Sequence, residues 1–275
     1  MFTLNCNGRL LVIEQPIVMG IINATPDSFY SASRQATVDA ALAKAEQMLL
    51  EGAVILDIGG QSTRPGSKVI DAGEERNRVL PLIKAISKRF PEAFLSVDTY
   101  HSELAKASVE HGASIINDIS GGLFDDRMLS TVASLKVPYV CMHIKGTADT
   151  MHEVPHYDHL LQEVLDHFSQ QIGKCSEVGI NDIIIDPGFG FSKTIAHNFE
   201  LIRKLELFSI FDKPVLLGIS RKSTIYKTLG ISVEESLNGT TVLHTAGLLK
   251  GADILRVHDV KEAMQAIKLC SFIGR

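Results

Sequence analysis

The stretch Ile183-Ile184-Ile185-Asp186-Pro187-Gly188-Phe189-Gly190-Phe191 decides how this chain folds. Three β-branched residues run without polar alternation, the run ends on a carboxylate, and a Pro-Gly loop follows. A short continuous apolar run is the mark of a strand buried on both faces, as in a parallel sheet. Seven further runs share the pattern, at 17–22, 54–58, 94–97, 114–116, 139–142, 215–217 and 254–257. Amphipathic helices lie between them. Val38, Ala41, Leu42, Ala45, Met48 and Leu49 form an i, i+3, i+4, i+7 stripe that Gly52 is placed to stop. Leu161, Val164, Leu165, Phe168 and Ile172 form another, and Ala263, Ile267 and Cys270 mark the last.

Eight βα units in 275 residues predict an α/β chain folded as one (β/α)8 TIM barrel over residues 15–275. Length alone also allows two smaller domains, but no Pro/Gly/Ser-rich linker interrupts the alternation. Residues 1–14 are expected to form a hairpin of the same domain. Its turn is Asn7-Gly8, a dipeptide that tolerates positive φ at both positions.

The formal charge of −5, from 27 basic and 32 acidic side chains, argues against a general polyanion binder, so no nucleic-acid partner is expected. No apolar run approaches the ~18–20 residues of a membrane helix, and the first residues lack the basic-then-apolar pattern of a secretory leader. Cys6, Cys141, Cys175 and Cys270 are scattered without a Cys-x-x-Cys pair. They read as small buried hydrophobes in a reducing compartment, which places the chain in the cytoplasm.

In such a barrel the active site is built where the strands end. The strand ends here are Asn23, Asp57, Asp98, Asn117-Asp118, Met142-His143, Asp186, Gly218 to Lys222, and Arg256-Val257-His258-Asp259. A single terminal Asp is often only a helix cap, and that reading is favoured for Asp118 and Asp259. Eight polar ends are harder to explain by caps. Arg221, Lys222, Arg256 and His258, with Arg64 in the Gly59–Gly66 loop, suggest an anionic ligand. Asp98, Asn117 and Asp186 suit the N–H donors of a flat heterocycle.

Three motifs do not carry the chemistry their letters suggest. His152-Glu153-Val154-Pro155-His156 matches the zinc-protease pattern, but Pro155 forbids the helix that would bring both His to one face. Gly218-Ile219-Ser220 has Lys222 where a nucleophile elbow needs Gly. Gly188-Phe189-Gly190 lacks the third Gly of a dinucleotide loop.

The segments 19–29, 57–66, 96–99, 116–119, 186–191, 218–223 and 256–260, taken in this order, resemble the dihydropteroate synthase family. The resemblance implies transfer of a pterin: p-aminobenzoate is joined to 6-hydroxymethyl-7,8-dihydropterin diphosphate, with Mg2+ assistance and release of pyrophosphate. It is a folate-pathway step that sulfonamides inhibit. By the same resemblance Asp98, Asn117 and Asp186 anchor the pterin, Lys222 bonds it near a ring nitrogen and carbonyl, and Met142 and Gly218 line its slot. Arg256 stacks on its face, and Thr63 and Val257 add contacts to the pterin diphosphate. Asn23 is the implied metal ligand, and Asn23, Arg256 and His258 make the pyrophosphate site. Arg64 joins Lys222, Arg256 and His258 in catalysis, from a loop expected to close over substrate. Phe29, Thr63, Pro65, Phe191 and Ser220 form the p-aminobenzoate pocket. A homodimer is implied, with the helix over 237–249 as a candidate interface.

The chain departs from the family pattern at Gln61, usually Glu, at Ser31, commonly Asp, and at Ser192, a frequent Gly whose replacement is expected to matter little. Two other readings compete: a pterin-dependent methyltransferase of a corrinoid system, and a pterin-binding protein without activity. The first would not need the Ser220-Arg221-Lys222 cluster or the paired loops at Asn23 and Thr63, and the second has only the first-loop departures for it and the intact cations against it.

Overall fold

The computed structural model describes residues 1–24, 34–61, 70–147, 150 and 155–274. Strands β1 (Phe2–Cys6) and β2 (Arg9–Ile13) form the expected antiparallel hairpin. Its turn puts Asn7 at φ 54 and Gly8 at φ 86. The barrel then alternates β3 (Ile17–Asn23), α1 (Arg34–Leu50), β4 (Ile55–Gly59), α2 (Ala72–Arg89), β5 (Phe94–Asp98), α3 (Ser102–Glu110), β6 (Ile115–Asp118), α4 (Met128–Leu135), β7 (Tyr139–Met142), α5 (Leu160–Glu177), β8 (Ile183–Asp186) and α6 (Ile195–Arg203). It continues with β9 (Leu216–Leu217), α7 (Ser223–Leu229), α8 (Leu237–Leu249), β10 (Ile254–Val257) and α9 (Val260–Ile273).

All eight barrel strands are parallel, in the order β8-β7-β6-β5-β4-β3-β10-β9. The Ile185–Val215 bridge, beside the bond from Ile185 N to Pro214 O, joins β8 to β9 and closes the ring. The seventh strand is shorter than the run 215–217 suggests: Val215 stands outside it, bridging to Ile185, accepting Asp253 N and Ile254 N at its carbonyl and donating its N–H to Asp253 Oδ2.

Side chains alternate across each strand, and this period of two sorts the whole core. Val18, Ile22, Leu56, Ile58, Ile116, Ile183, Ile185, Leu255 and Val257 pack outward among the helices. The α1 stripe meets them there: Ala41, Ala45 and Met48 are buried, and Gly20 leaves room for Met48. Met19, Ile55, Ile115, Val140, Ile184, Leu216 and Ile254 fill the barrel interior. The hairpin seals that interior from below with Leu4, Cys6, Leu11 and Ile13. It is tied down by Arg9, which donates to Pro91 O and Ala93 O, and by Asn5 N, which donates to Asp182. All four cysteines are free and buried, as their scatter suggests. Among the described residues no helix is long and apolar enough to cross a membrane.

Candidate active site

Continuing the inward parity of each strand upward places Asn23, Asp57, Asp98, Asn117, Met142, Asp186, Gly218 and Arg256 at the top of the barrel interior. The register supports this stacking: Gly59 pairs with Asp98, Asp98 with Asn117, and Met142 with Asp186. The hub is Arg256. Its Nε donates to Asp57 Oδ2 at 2.7 Å and its Nη2 to Asp98 Oδ2 at 2.5 Å. Asn117 Nδ2 donates to the same Asp57 oxygen at 3.0 Å. Asp57 is fully buried, and its other oxygen has no hydrogen-bond partner. A guanidinium this deep persists only when paired, so Asp57 and Asp98 hold it in place and it holds them. Burial drives Asp98 above the usual carboxylate range, while Arg256 pulls it back and Asp57 pushes with burial.

The opposite wall is Asp186 with Lys222. Gly188 N donates to Asp186 Oδ1 at 2.8 Å. Asp186 Oδ2 and Lys222 Nζ lie 3.6 Å and 3.9 Å from where a Cβ on Gly218 would stand, so Gly218 forms the floor beside both groups. Lys222 donates to Phe189 O and holds its ammonium 4.4 Å from the centre of the Phe191 ring. Burial pushes Lys222 down to about 8, with Asp186 opposing. Burial likewise raises Asp186, against Lys222. Met142 and Phe191 belong to one small apolar cluster with Tyr100, Ile119 and Ile144. Ser220 Oγ lies 3.0 Å from His258 Nδ1 and accepts from His258 N.

The structure thus gathers Asp98, Asn117, Met142, Asp186, Gly218, Ser220, Lys222, Arg256, His258 and Phe191 at one end of the barrel, with Asn23 half-buried at the end of β3. Val257 is fully buried against the helical layer, so only its main chain is available to a ligand. Phe29, Ser31, Thr63, Arg64 and Pro65 lie outside the described residues, as do His152, Glu153 and Val154.

Four expectations change. Arg221 is not a free cation for an anionic ligand. It sits at φ 53, makes a two-pronged pair with Asp259 at 2.7 and 2.9 Å, and donates to Val233 O and Glu234 O. Asp259 therefore binds Arg221 rather than capping α9 with its side chain. Asp118 does not cap a helix either. It points outward, accepts from Ser120 N, Ser120 Oγ and Gly122 N, and takes the Tyr139 hydroxyl at 2.7 Å. Ser192 is not bland: at φ 49 it is held by its hydroxyl, which donates to Lys145 O and accepts from Lys145 N.

Gln61 retains an acceptor where a carboxylate is usual, and its Oε1 receives Ile70 N at 2.9 Å. Two participants escaped sequence reasoning. Asp57 reads in the sequence as one polar strand residue among several, although counting by twos from Ile55 puts it inside the barrel. Lys193, beyond the Gly-Phe-Gly-Phe segment, is 7% exposed and has no sequence signal of its own.

A family model described as pterin binding enzyme matches residues 19–258. The dihydropteroate synthase of Escherichia coli K12 is 40% identical over 264 residues, covering 95% of this chain and 93% of that protein. Among solved structures, Xanthomonas albilineans dihydropteroate synthase with 4-aminobenzoic acid superposes with a TM-score of 0.92 at 39% identity, covering 98% of this chain and 97% of that one. The same organism's enzyme in complex with 7,8-dihydropteroate gives a TM-score of 0.89 at 36% identity, with 98% of both chains covered.

Proposed function

The chain belongs to the dihydropteroate synthase family of pterin-binding enzymes, and on that membership we propose that it is a transferase joining p-aminobenzoate to 6-hydroxymethyl-7,8-dihydropterin diphosphate. The products are 7,8-dihydropteroate and pyrophosphate. The observation that carries the reading is the inward ring of Asp57, Asp98, Asn117, Asp186, Lys222 and Arg256 above a hydrophobic barrel core. It offers acceptors to a donor-rich ring and cations beside them for a diphosphate.

In this reading Asp186, Asp98 and Asn117 accept from the pterin's amino and ring N–H groups. Asp98 and Asn117 meet the ring through Oδ1, since Asp98 Oδ2 and Asn117 Nδ2 serve Arg256 and Asp57. Lys222 exchanges Phe189 O for the ring carbonyl, and Met142 and Gly218 line the slot. Arg256 has N–H groups beyond the two its carboxylates use, and these, with His258 and Arg64, collect charge on the departing pyrophosphate. Val257 adds main-chain contacts there. The C–O bond to the diphosphate breaks as the pterin CH2 becomes electron-poor, and the aniline nitrogen attacks that carbon and then loses a proton. No strong general base is required, because the amine is nucleophilic as it stands. Phe191 and Ser220, with Phe29, Thr63 and Pro65, form the p-aminobenzoate pocket.

A magnesium ion fits the donor set. Asn23 offers one neutral oxygen, and among the described residues no group of three His, Cys, Asp or Glu side chains could hold a metal. Mg2+ usually keeps several waters and is held by substrate phosphates with one or two carboxylates, so Asn23 would complement an ion carried chiefly by the diphosphate. When bound it would neutralise diphosphate charge. We further propose a cytoplasmic homodimer in which hairpin and barrel form one domain. α8 and α9 pack on each other and expose Val242, Leu249, Leu269, Phe272 and Ile273, large apolar side chains that a partner subunit would cover.

The test is pyrophosphate release by the purified protein. Release that needs both p-aminobenzoate and the pterin diphosphate is expected, and no release with both present would refute the reading.

A further inference from the structure

Lys193 is buried behind the wall that carries Asp186, and the reaction above does not use it. Its Nζ lies 2.9 Å from His143 Nδ1, 3.1 Å from Gly188 O and 3.2 Å from Phe191 O. A fourth, longer contact reaches His143 O at 3.5 Å. His143 directly follows β7, and Gly188 and Phe191 lie in the loop after the adjacent β8. An ammonium buried this deeply must spend its protons on acceptors. Burial pushes Lys193 down to about 7, and it pushes His143 well below its ordinary value, so His143 is neutral. The bonding survives either charge state of the lysine. The ammonium donates to His143 Nδ1, the amine accepts from it, and two N–H groups remain for the two carbonyls.

What those carbonyls belong to gives Lys193 its meaning. Gly188 is the residue whose N–H fixes Asp186 Oδ1. Its φ of +72 and its position admit no side chain, because a Cβ there would stand 2.0 Å from His143 O. Gly188 is therefore threaded between β7 and Asp186, and its one remaining polar group, the carbonyl, is held by Lys193. Phe191 is bound to the same turn through its N–H to Gly188 O, and its ring faces the Lys222 ammonium. One side chain thus pins both ends of the 188–191 turn from behind.

We propose that Lys193 is a positioning residue for the pterin ring: by fixing the 188–191 turn it commits Asp186 Oδ1 to Gly188 and leaves Oδ2 aimed over Gly218. The inference rests on reading Asp186 as a pterin anchor. A group that orients a ground-state anchor contributes equally to substrate and transition state, so its loss should raise KM and spare kcat.

The experiment compares Lys193→Met, Lys193→Gln and Asp186→Asn with the wild type, by steady-state kinetics and by calorimetry with the pterin diphosphate and with the same pterin alcohol lacking the diphosphate. Lys193→Met is expected to raise the KM for pterin diphosphate at least tenfold with kcat at saturation within threefold. Both pterins should lose affinity by the same factor, because the damage is at the ring end. Should Lys193→Met give no cooperative melt, Lys193→Gln, which keeps one donor, is read by the same criteria with a smaller rise in KM. A folded variant with KM within twofold of wild type, or with kcat lost and KM unchanged, overturns the inference. Asp186→Asn separates the two layers. If it too binds pterin as wild type, the anchor reading itself fails; if it loses affinity while both Lys193 variants keep theirs, only the role of Lys193 falls.

Discussion

Glu75 offers a perturbation whose size and sign follow from its surroundings. It sits in the first turn of α2, 2% exposed, at the base of the segment that follows β4. Its Oε2 accepts the Thr99 hydroxyl at 2.9 Å, while Oε1 is buried with no hydrogen-bond partner. His101 Nε2 is 4.0 Å away, but burial lowers that imidazole's hold on a second proton. Burial accordingly raises Glu75 from 4.5 to about 7; Asp98 adds to the rise, and the Thr99 bond and Arg78 oppose it. A carboxyl that binds its proton more tightly folded than unfolded stabilises the fold at low pH. That contribution is complete below about 4.5 and is lost as pH climbs through about 7. At about 1.4 kcal/mol per tenfold change in proton affinity, the loss is roughly 3 kcal/mol by pH 8. Glu75→Gln keeps an oxygen for Thr99 and removes the charge. It should leave stability at pH 4.5 within about 1 kcal/mol of wild type and raise it by about 2–3 kcal/mol at pH 8, or several degrees in Tm. Urea melts of both proteins at half-unit steps from pH 4.5 to 8.5 measure this. A stability difference that does not change with pH would refute the reasoning, because it would mean that Glu75 holds the same charge folded and unfolded.

Other outcomes follow from single contacts. Lys222 is charged below about 8, so kcat/KM for the pterin substrate should fall above that pH. Lys222→Arg, which stays charged, should lose that alkaline limb whatever its residual rate; an unchanged limb would assign the titration elsewhere. Tyr139→Phe removes one of four donors to the buried Asp118 and should cost about 1–3 kcal/mol in a urea melt with pterin affinity unchanged, because Asp118 faces the helices. Phe272→Glu puts a charge on the exposed α9 surface, 82% accessible at this position. By analytical ultracentrifugation it should convert a dimer to a monomer; a wild type that sediments as a monomer removes the dimer proposal.

The sequence made the barrel legible because a continuous apolar run has one good use, a strand covered on both sides, and eight such runs fit one closed sheet. It made most of the strand-end residues legible for the same reason. What it did not separate was polarity from direction. Asn117 and Asp118 are neighbours with similar chemistry, yet the first reaches into the barrel toward Asp57 and the second turns outward to Tyr139. Arg221 and Lys222 part in the same way, one to Asp259 and one to the pocket. Capping describes neither Asp118 nor Asp259, because an acid next to a strand end can be claimed by a turn or by another strand's cation.

Lys193 could not be found by any period, since it lies in a loop and acts from behind the site. The charges of the pocket show why a second lysine anchor matters there. Asp57, Asp98 and Asp186 place three carboxylates around one pocket, with Arg256 and Lys222 in front of them. Burial raises Asp98 and Asp186, and opposite charge or donated N–H groups pull such groups back toward the ionised form. Asp57 and Asp98 share Arg256, which leaves Asp186 to Lys222, to the Gly188 N–H and to the more distant pull of Arg256 and Lys193. If Lys222 turns from Phe189 O to the pterin, as its proposed role requires, the loop loses one of its two lysine anchors at the moment the ring arrives. Lys193 is the anchor that stays, so the wall carrying Asp186 can hold still while the wall carrying Lys222 moves.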